Sequence, residues 1–178
     1  MKVLLGLGNP GVSYEKTRHN AGFLFLDQLQ QDYAFPNFKL EKKFHALISR
    51  GQLDEKEFLL AQPQTFMNLS GQAAATLIRF YRLLPEKDLV VIYDDLDLPF
   101  GEFKVTRVSP HGHNGVSNII ASLKQKDFLQ LRLGTDGRAG ERTISGMDYV
   151  LQPFSPAELM RLRQEIFPAA LEKLRSWL

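Results

Sequence analysis

The sequence predicts one α/β domain over residues 1–178, with a twisted, mixed and mostly parallel central sheet and helices on both faces. Short apolar runs of strand length alternate with segments whose apolar residues recur at helical spacing, a pattern typical of helices packed on a sheet. The chain is long enough to bury a core without disulfides. A hydrophobic content of 44%, with thirteen phenylalanines, favours a folded chain over a disordered one.

The first half of the chain is expected to form three strands and two helices. Apolar runs of strand length occupy residues 2–7, 44–50 and 57–62. The segment 20–31 carries apolar residues at the spacing of one helix face. A second helix is expected to begin with Ser70 as its N-terminal cap and to end near Leu84.

The second half is expected to add three more strands and two more helices. The predicted strands are residues 89–93, 102–108 and 129–134, of which the second is an edge strand. Residues 116–123 have the pattern of a helix. The last helix has a defined start, because Ser155 and Glu158 have the spacing of a capping box and Pro156 suits the first helical position.

Polar side chains follow two of these predicted strands. Asn9 lies just after the strand 2–7, and Asp94 and Asp95 come directly after the strand 89–93. In open α/β sheets, ligands bind at the carboxyl ends of the strands. We therefore expect these side chains to meet, with His19 nearby in the polar segment that precedes the first helix.

Composition excludes several kinds of chemistry. The chain has no cysteine, which rules out thiolate catalysis, disulfides and cysteine-bound metals and fits a reducing cytosol. No secretion signal or membrane span is recognisable, so a cytoplasmic protein without a membrane partner is expected. The net charge of +2 suits a local contact with an RNA end better than the coating of long nucleic acids.

The glycine-rich segment 6–11 spells G-x-G-x-x-G after a strand, which is the pattern of dinucleotide-binding proteins. That pattern also requires a helix immediately afterwards, whereas residues 12–19 are polar and lack a helical stripe. A dinucleotide-dependent oxidoreductase therefore remains one alternative. The other is that the glycines shape a turn presenting the amide of Asn9.

A cluster of acidic and histidine residues allows two further interpretations. Asp94 and Asp97, with His111 or His113, have the residue types of a metal site in a metallohydrolase. Alternatively, Asp94 accepts a hydrogen bond from His19 and makes that imidazole a better base. The second interpretation is favoured, and no metal is expected. Since neither G-x-S-x-G nor a Walker A motif is present, a hydrolase of this sequence would use water as its nucleophile.

Two segments resemble the lining of a small-molecule site. Phe66 and Met67 beside Asn68 would form an apolar wall with one hydrogen-bonding amide. His113 and Asn114 repeat the arrangement at the mouth of a helix. The alternatives are ordinary core packing for the apolar residues and an N-terminal helix cap for Asn114.

Taken together, these segments resemble bacterial-type peptidyl-tRNA hydrolases. The matching stretches are in the family's order and cover the chain from residue 2 to about 154: residues 6–11, 14, 17–22, 65–71, 94–101 and 112–115. The resemblance implies a monomer without cofactor or metal, acting on the peptide–tRNA ester. A relative that binds RNA without hydrolysing it is a further alternative.

The resemblance also implies roles for individual residues. It makes His19 the catalytic base, paired with Asp94. The residues that it and the motifs place at the peptide-ester site are Asn9, Tyr14, Phe66, Met67, Asn68, His113 and Asn114. Lys104 and Arg132 match the family's clamp on a tRNA phosphate.

The chain departs from the family's pattern on the side expected to grip RNA. His111 stands where a glycine is usual, residues 133–137 replace an Ile-Gly-Ile-Gly run, and the chain stops at Leu178 without a further basic tail. Arg138 and Arg142 are candidates to compensate for these departures.

Overall fold

The computed structural model describes residues 1–108, 112–138, 140 and 143–178. Within these residues the strands are β1 (Lys2–Gly6), β2 (Lys39–Glu41), β3 (Ala46–Leu53), β4 (Lys56–Pro63), β5 (Leu89–Pro99), β6 (Phe103–Thr106) and β7 (Leu129–Asp136). The α-helices are α1 (Ala21–Asp32), α2 (Ser70–Tyr81), α3 (Pro85–Asp88), α4 (Asn114–Leu123), α5 (Gly146–Val150), α6 (Pro156–Arg161) and α7 (Phe167–Arg175). No described helix is both long enough and apolar enough to span a membrane.

The strands form one seven-stranded sheet in the order β2-β3-β4-β1-β5-β7-β6. The four central strands β4, β1, β5 and β7 are parallel to one another, while β2, β3 and β6 pair in antiparallel fashion at the flanks. The predicted α/β class with a mixed sheet is thus confirmed, and its parallel part is the centre. The predicted edge position of β6 is confirmed as well.

Apolar side chains leave the sheet on both faces and form two separate cores. On one face, alternate residues such as Leu4 pack against α1 and α7. On the other face, Val3 and Leu5 pack against α2 and α4. This alternation follows from the period of two along a strand, and it confirms helices on both faces of the sheet.

The glycines of the segment 6–11 bring α1 close to β1. A Cβ atom on Gly6 would lie 2.5 Å from the carbonyl oxygen of Gly22, and one on Gly8 would lie 2.8 Å from the ring of Phe23. Such distances are too short for any side chain larger than hydrogen. Helix packing therefore accounts for the glycine spacing, and the ring of Phe23 lies directly against Gly8.

Two predicted features of α2 are wrong. Ser70 is the first residue of the helix rather than its cap, and its hydroxyl donates a hydrogen bond of 2.8 Å to the carbonyl oxygen of Met67. The helix ends at Tyr81 instead of near Leu84, because Arg82 adopts a left-handed conformation with φ of 53°.

The strand expected to end before Asp94 continues to Pro99. The reason lies in its neighbour β7, which still pairs with β5 at Asp94 and Asp95. On the other side, β1 pairs with β5 only as far as Gly6 opposite Ile92. Both aspartates therefore lie beyond the end of β1, on a stretch of β5 that pairs with β7 but not with β1.

The last helical segment begins as predicted. Ser155 and Glu158 form the capping box, and Pro156 occupies the first turn. Between α6 and α7 the residues Leu162–Ile166 form a π-helical turn. Pro168 lacks the N–H that a regular helix would need at this point, which explains the wider turn.

Candidate active site

A cavity of about 620 Å³ opens at the carboxyl ends of β1 and β5. It is lined by Asn9, His19, Phe66, Met67, Asn68, Asp94, Asp95, Leu96, Asp97, Gly112, His113, Asn114, Gly146, Met147, Val150 and Leu151. The side chains expected to meet at this edge of the sheet are therefore brought together. The volume is that of a typical small-molecule site.

Asp94 binds two histidines at the base of the cavity. Nδ1 of His19 lies 2.9 Å from Oδ1 and 3.0 Å from Oδ2 of Asp94, and Nε2 of His113 lies 3.1 Å from Oδ1. The carboxylate is almost completely buried, with 2% of its side chain exposed. The ring of Tyr93 packs against the ring of His113, with their centroids 4.8 Å apart.

The charge of Asp94 determines how His19 titrates. Burial lowers the pKa of His19, but the negative charge and hydrogen bond of Asp94 outweigh it and hold the pKa above its ordinary value of 6.5. Burial alone would raise the pKa of Asp94, whereas the attraction of His19 and the hydrogen bonds from both histidines keep it well below the usual range.

An ionised Asp94 can only accept hydrogen bonds, so Nδ1 of neutral His19 carries the hydrogen and Nε2 keeps a free lone pair. His113 has the opposite tautomer. Its Nδ1 accepts a bond of 3.3 Å from the backbone N–H of Val116, at the start of α4, which leaves Nε2 to donate to Asp94. His113, and not Asn114, is therefore the N-terminal cap of α4.

The amide of Asn9 has a fixed orientation. Its Oδ1 accepts a hydrogen bond of 2.8 Å from the backbone N–H of Met67, so its NH₂ group is left for the cavity. Asn20 holds the backbone of Asn9 on both sides, accepting from its N–H at 2.9 Å and donating to its carbonyl at 3.0 Å. Asn20 belongs to the matching stretch 17–22 of the sequence, but nothing in the sequence assigned it this function.

Asn68 and Asn114 also line the cavity, and both residues are exposed. Neither side chain forms a hydrogen bond with any other described residue. Phe66 is 57% exposed at the rim, whereas Met67 is buried beneath it. The predicted pairing of an apolar wall with amide groups is thus present in the structure.

The opposite wall of the cavity was not predicted. It is formed by Gly146, Met147, Val150 and Leu151, which belong to α5 or follow it directly. Met147 is 75% exposed. A helix of five residues leaves no periodic signal in a sequence, and nothing in the local pattern connected it to the distant segments that line the rest of the cavity.

Other predicted residues lie outside the cavity lining. Tyr14 is half-buried in the 3₁₀ turn Val12–Tyr14. Lys104 and Arg132 are cross-strand neighbours on β6 and β7. Lys104 is exposed and forms no ion pair with a described residue, whereas the Nε–H of Arg132 is bound by Asp95, a residue of the cavity wall.

Four further predicted residues are His111, Arg138, Arg142 and Asp97. His111 and Arg142 lie outside the described residues. Arg138 is described, and its guanidinium forms two hydrogen bonds with Asp136, at 2.8 and 2.9 Å. Asp97 is an exposed residue of the cavity wall, and its backbone N–H donates to Asp95 at 2.9 Å.

The three residues at the base could in principle hold a metal ion. One ligand atom from each of His19, Asp94 and His113 lies within 4.8 Å of the others. However, Nε2 of His113 must carry a hydrogen while Nδ1 accepts from Val116. That hydrogen points at Asp94, so the geometry favours a hydrogen-bonded triad over a ligand set.

The sequence is similar to those of known proteins over nearly its whole length. Residues 3–178 match the family model described as Peptidyl-tRNA hydrolase. The peptidyl-tRNA hydrolase of Brevibacillus brevis is 43% identical over 171 residues, covering 96% of this chain and 88% of that protein. That of Dichelobacter nodosus is 44% identical over 177 residues, covering 98% and 92%.

A solved structure agrees with these sequence matches. The crystal structure of peptidyl-tRNA hydrolase from Acinetobacter baumannii superposes with a TM-score of 0.79 at 31% identity, covering 98% of this chain and 94% of that one. Both the sequence matches and the structural match extend over nearly the whole chain. The chain belongs to the peptidyl-tRNA hydrolase family.

Proposed function

We propose that this protein hydrolyses the ester between peptide and tRNA in peptidyl-tRNA released from stalled ribosomes, and so recycles the tRNA. The choice of peptidyl-tRNA as substrate rests on the family to which the chain belongs. The observation that carries the chemistry is the pair of His19 and Asp94, joined at 2.9 Å at the base of a cavity that three asparagines line. A histidine oriented by a buried carboxylate is the arrangement of a general base.

In this proposal, Nε2 of His19 takes a proton from water as the oxygen of that water attacks the ester carbonyl. The resulting imidazolium is stabilised by Asp94. When the tetrahedral intermediate breaks down, His19 returns the proton to the departing ribose oxygen. Peptide acid and tRNA hydroxyl are formed, and the base is regenerated without a covalent intermediate.

The intermediate needs hydrogen-bond donors for its oxyanion. The NH₂ group of Asn9 is pre-oriented, because its carbonyl oxygen is bound by Met67. Asn68 and Asn114 have no competing partner among the described residues and can turn toward the substrate. We assign the ester site to these three amides, with His113, Phe66 and Met67 binding the peptide. The resemblance to the family adds Tyr14, which lies outside the cavity lining.

The assay for this proposal is the release of N-acetyl-aminoacyl groups from tRNA, with and without EDTA. We expect turnover that EDTA does not reduce, since the base needs only Asp94. Loss of turnover with EDTA, restored by a divalent metal, would instead support a metallohydrolase that uses His19, Asp94 and His113. A chain that binds tRNA and releases nothing would be an RNA-binding relative.

For the tRNA we propose a phosphate contact by Lys104 and Arg132. Lys104→Ala should raise KM a few-fold with little change in kcat, because a phosphate contact contributes equally to ground and transition states. The effect should shrink at low salt, where the remaining cations bind RNA more tightly, and the slope of log affinity against log salt should fall by about one.

The control for that experiment is Lys56→Ala. Lys56 is also exposed, but it is the first residue of β4. It therefore lies at the amino end of a parallel strand, whereas the cavity opens at the carboxyl ends. An unchanged KM in the Lys104 variant, or an equal change in both variants, would refute the assignment of Lys104.

We further propose that the protein works as a monomer in the cytoplasm, the compartment in which ribosomes release its substrate. The monomer is what the resemblance to the family implies. Light scattering at assay concentration, with and without tRNA, tests the oligomeric state.

A further inference from the structure

We propose that Arg18 is a positioning residue for this hydrolysis, because its buried guanidinium locks the segment that carries His19 against the C-terminal part of the chain. This inference rests on the proposed function. Arg18 directly precedes His19 in the 3₁₀ turn Arg18–Asn20, yet its side chain leaves in another direction and is only 8% exposed. Arginine is seldom buried to this extent without a paired charge.

The backbone around Arg18 is already tied to the residues before α6. The N–H of Arg18 donates to the carbonyl of Gln152 at 3.0 Å, and the N–H of Phe154 donates to the carbonyl of Lys16 at 2.8 Å. Between them, Thr17 and Pro153 form an isolated β-bridge. These contacts hold the backbone of the segment, and the side chain of Arg18 adds a second set.

The guanidinium of Arg18 joins the segment to three further parts of the chain. It forms an ion pair with both carboxylate oxygens of Glu158, at 2.8 and 3.1 Å, and donates to the carbonyl of Thr135 at 3.3 Å. Its Cζ atom lies over the rings of Tyr149 and Phe154, at 4.6 and 4.9 Å from the ring centres. A lysine could supply neither the planar fork nor the stacking.

Glu158 is itself held in place. One of its oxygens accepts from the backbone N–H of Ser155 at 2.7 Å in the capping box of α6. Burial alone would raise the pKa of Glu158, but the bonds from Ser155 and Arg18 lower it, so the carboxylate stays charged. The partner of Arg18 is therefore a rigid anchor rather than a mobile surface carboxylate.

Tyr149 connects the same guanidinium to the cavity wall. It lies in α5, whose residues Met147 and Val150 line the cavity. A second guanidinium, that of Arg138, lies over this ring at 4.6 Å, and the hydroxyl accepts from the N–H of Gly137 at 3.0 Å. Arg18 thus connects the segment that carries His19 with α5, the helix that forms part of the cavity wall.

The test uses Arg18→Lys in the intact protein, which keeps the positive charge and loses the fork. Displacement of a catalytic group by about 1 Å can cost about 10²-fold in rate. We expect kcat for N-acetyl-aminoacyl-tRNA to fall about 10- to 100-fold with KM nearly unchanged. We also expect the acid limb of the kcat–pH profile to move to lower pH, because His19 would lie less well against Asp94.

The pH profile separates positioning from stability, since a variant that is merely less folded loses amplitude without moving the limb. NMR titration of the His19 imidazole should show the same downward shift of its pKa. Glu158→Gln, which leaves the stacking intact, should give a smaller loss in the same direction. It also provides a second variant if Arg18→Lys folds poorly.

Arg50→Lys is the matched control, because Arg50 forms an exposed ion pair with Glu57 at 2.7 Å on β3 and β4. It should behave as wild type. If wild type is active and Arg18→Lys has a normal kcat and pH profile, the positioning role is refuted while the proposed function stands. If wild type is inactive on this substrate, both are refuted.

Discussion

His19→Ala should lose most of its turnover, with kcat reduced about 10²–10⁴-fold, the usual contribution of a general base. KM should change little, because the phosphate contacts assigned to tRNA binding lie elsewhere. The variant should still fold, since Asp94 keeps its hydrogen bond from Nε2 of His113. The measurement is single-turnover release of N-acetyl-aminoacyl groups from tRNA, with thermal denaturation run in parallel.

His45→Asn is the control for this variant. His45 is exposed, it is not part of the cavity lining, and its φ of 51° is one that asparagine tolerates. Its kcat should equal that of wild type. A near-normal kcat in His19→Ala would mean that another group activates the water, and His113 would become the first residue to examine.

Asp94→Asn should be at least as damaging, with kcat reduced about 10³–10⁴-fold. The carboxylate accepts from two histidines at once, whereas an amide has one accepting oxygen and one donating nitrogen. If the amide NH₂ faces Nδ1 of His19, the ring must shift its hydrogen to Nε2. The nitrogen that faces the cavity would then no longer be a base.

The residual activity of Asp94→Asn has a diagnostic pH dependence. In wild type, the pKa of His19 lies above 6.5 because of Asp94, so activity should fall as the pH drops through that raised value. Without the negative charge, burial remains and lowers the pKa. The acid limb should therefore move below pH 6.5, and the kcat–pH profile measures this directly.

Asp127→Asn provides the comparison, since Asp127 is 58% exposed and pairs with Arg107 far from the cavity lining. Its profile should match wild type. An acid limb that stays in place in Asp94→Asn would show that Asp94 does not set the charge state of the base.

The element pattern was predictable because it depends on local geometry. The periods of strand and helix identified β1, β4, β7 and α1 to within a few residues. The boundaries that were missed depended on neighbours instead. β5 continues past Asp94 only because β7 pairs with it there, and α2 stops early because Arg82 turns left-handed.

The candidate site was predictable in part for a related reason. Polar residues that follow parallel strands converge at one edge of a sheet, and this rule brought Asn9 and Asp94 together. The contact of His19 with Asp94 was expected from the same reasoning and is observed at 2.9 Å. The likeness of the motifs to one family pointed to the substrate.

Alone, the sequence determined the class of fold, the absence of thiol chemistry and the residues at the sheet edge, because these depend on composition and short-range spacing. Only the tertiary structure decided that His113 shares Asp94, that α5 closes the cavity, and that Arg18 meets Glu158 across 140 positions. Such contacts arise when distant segments pack, and a polar residue leaves no local periodicity that identifies its distant partner.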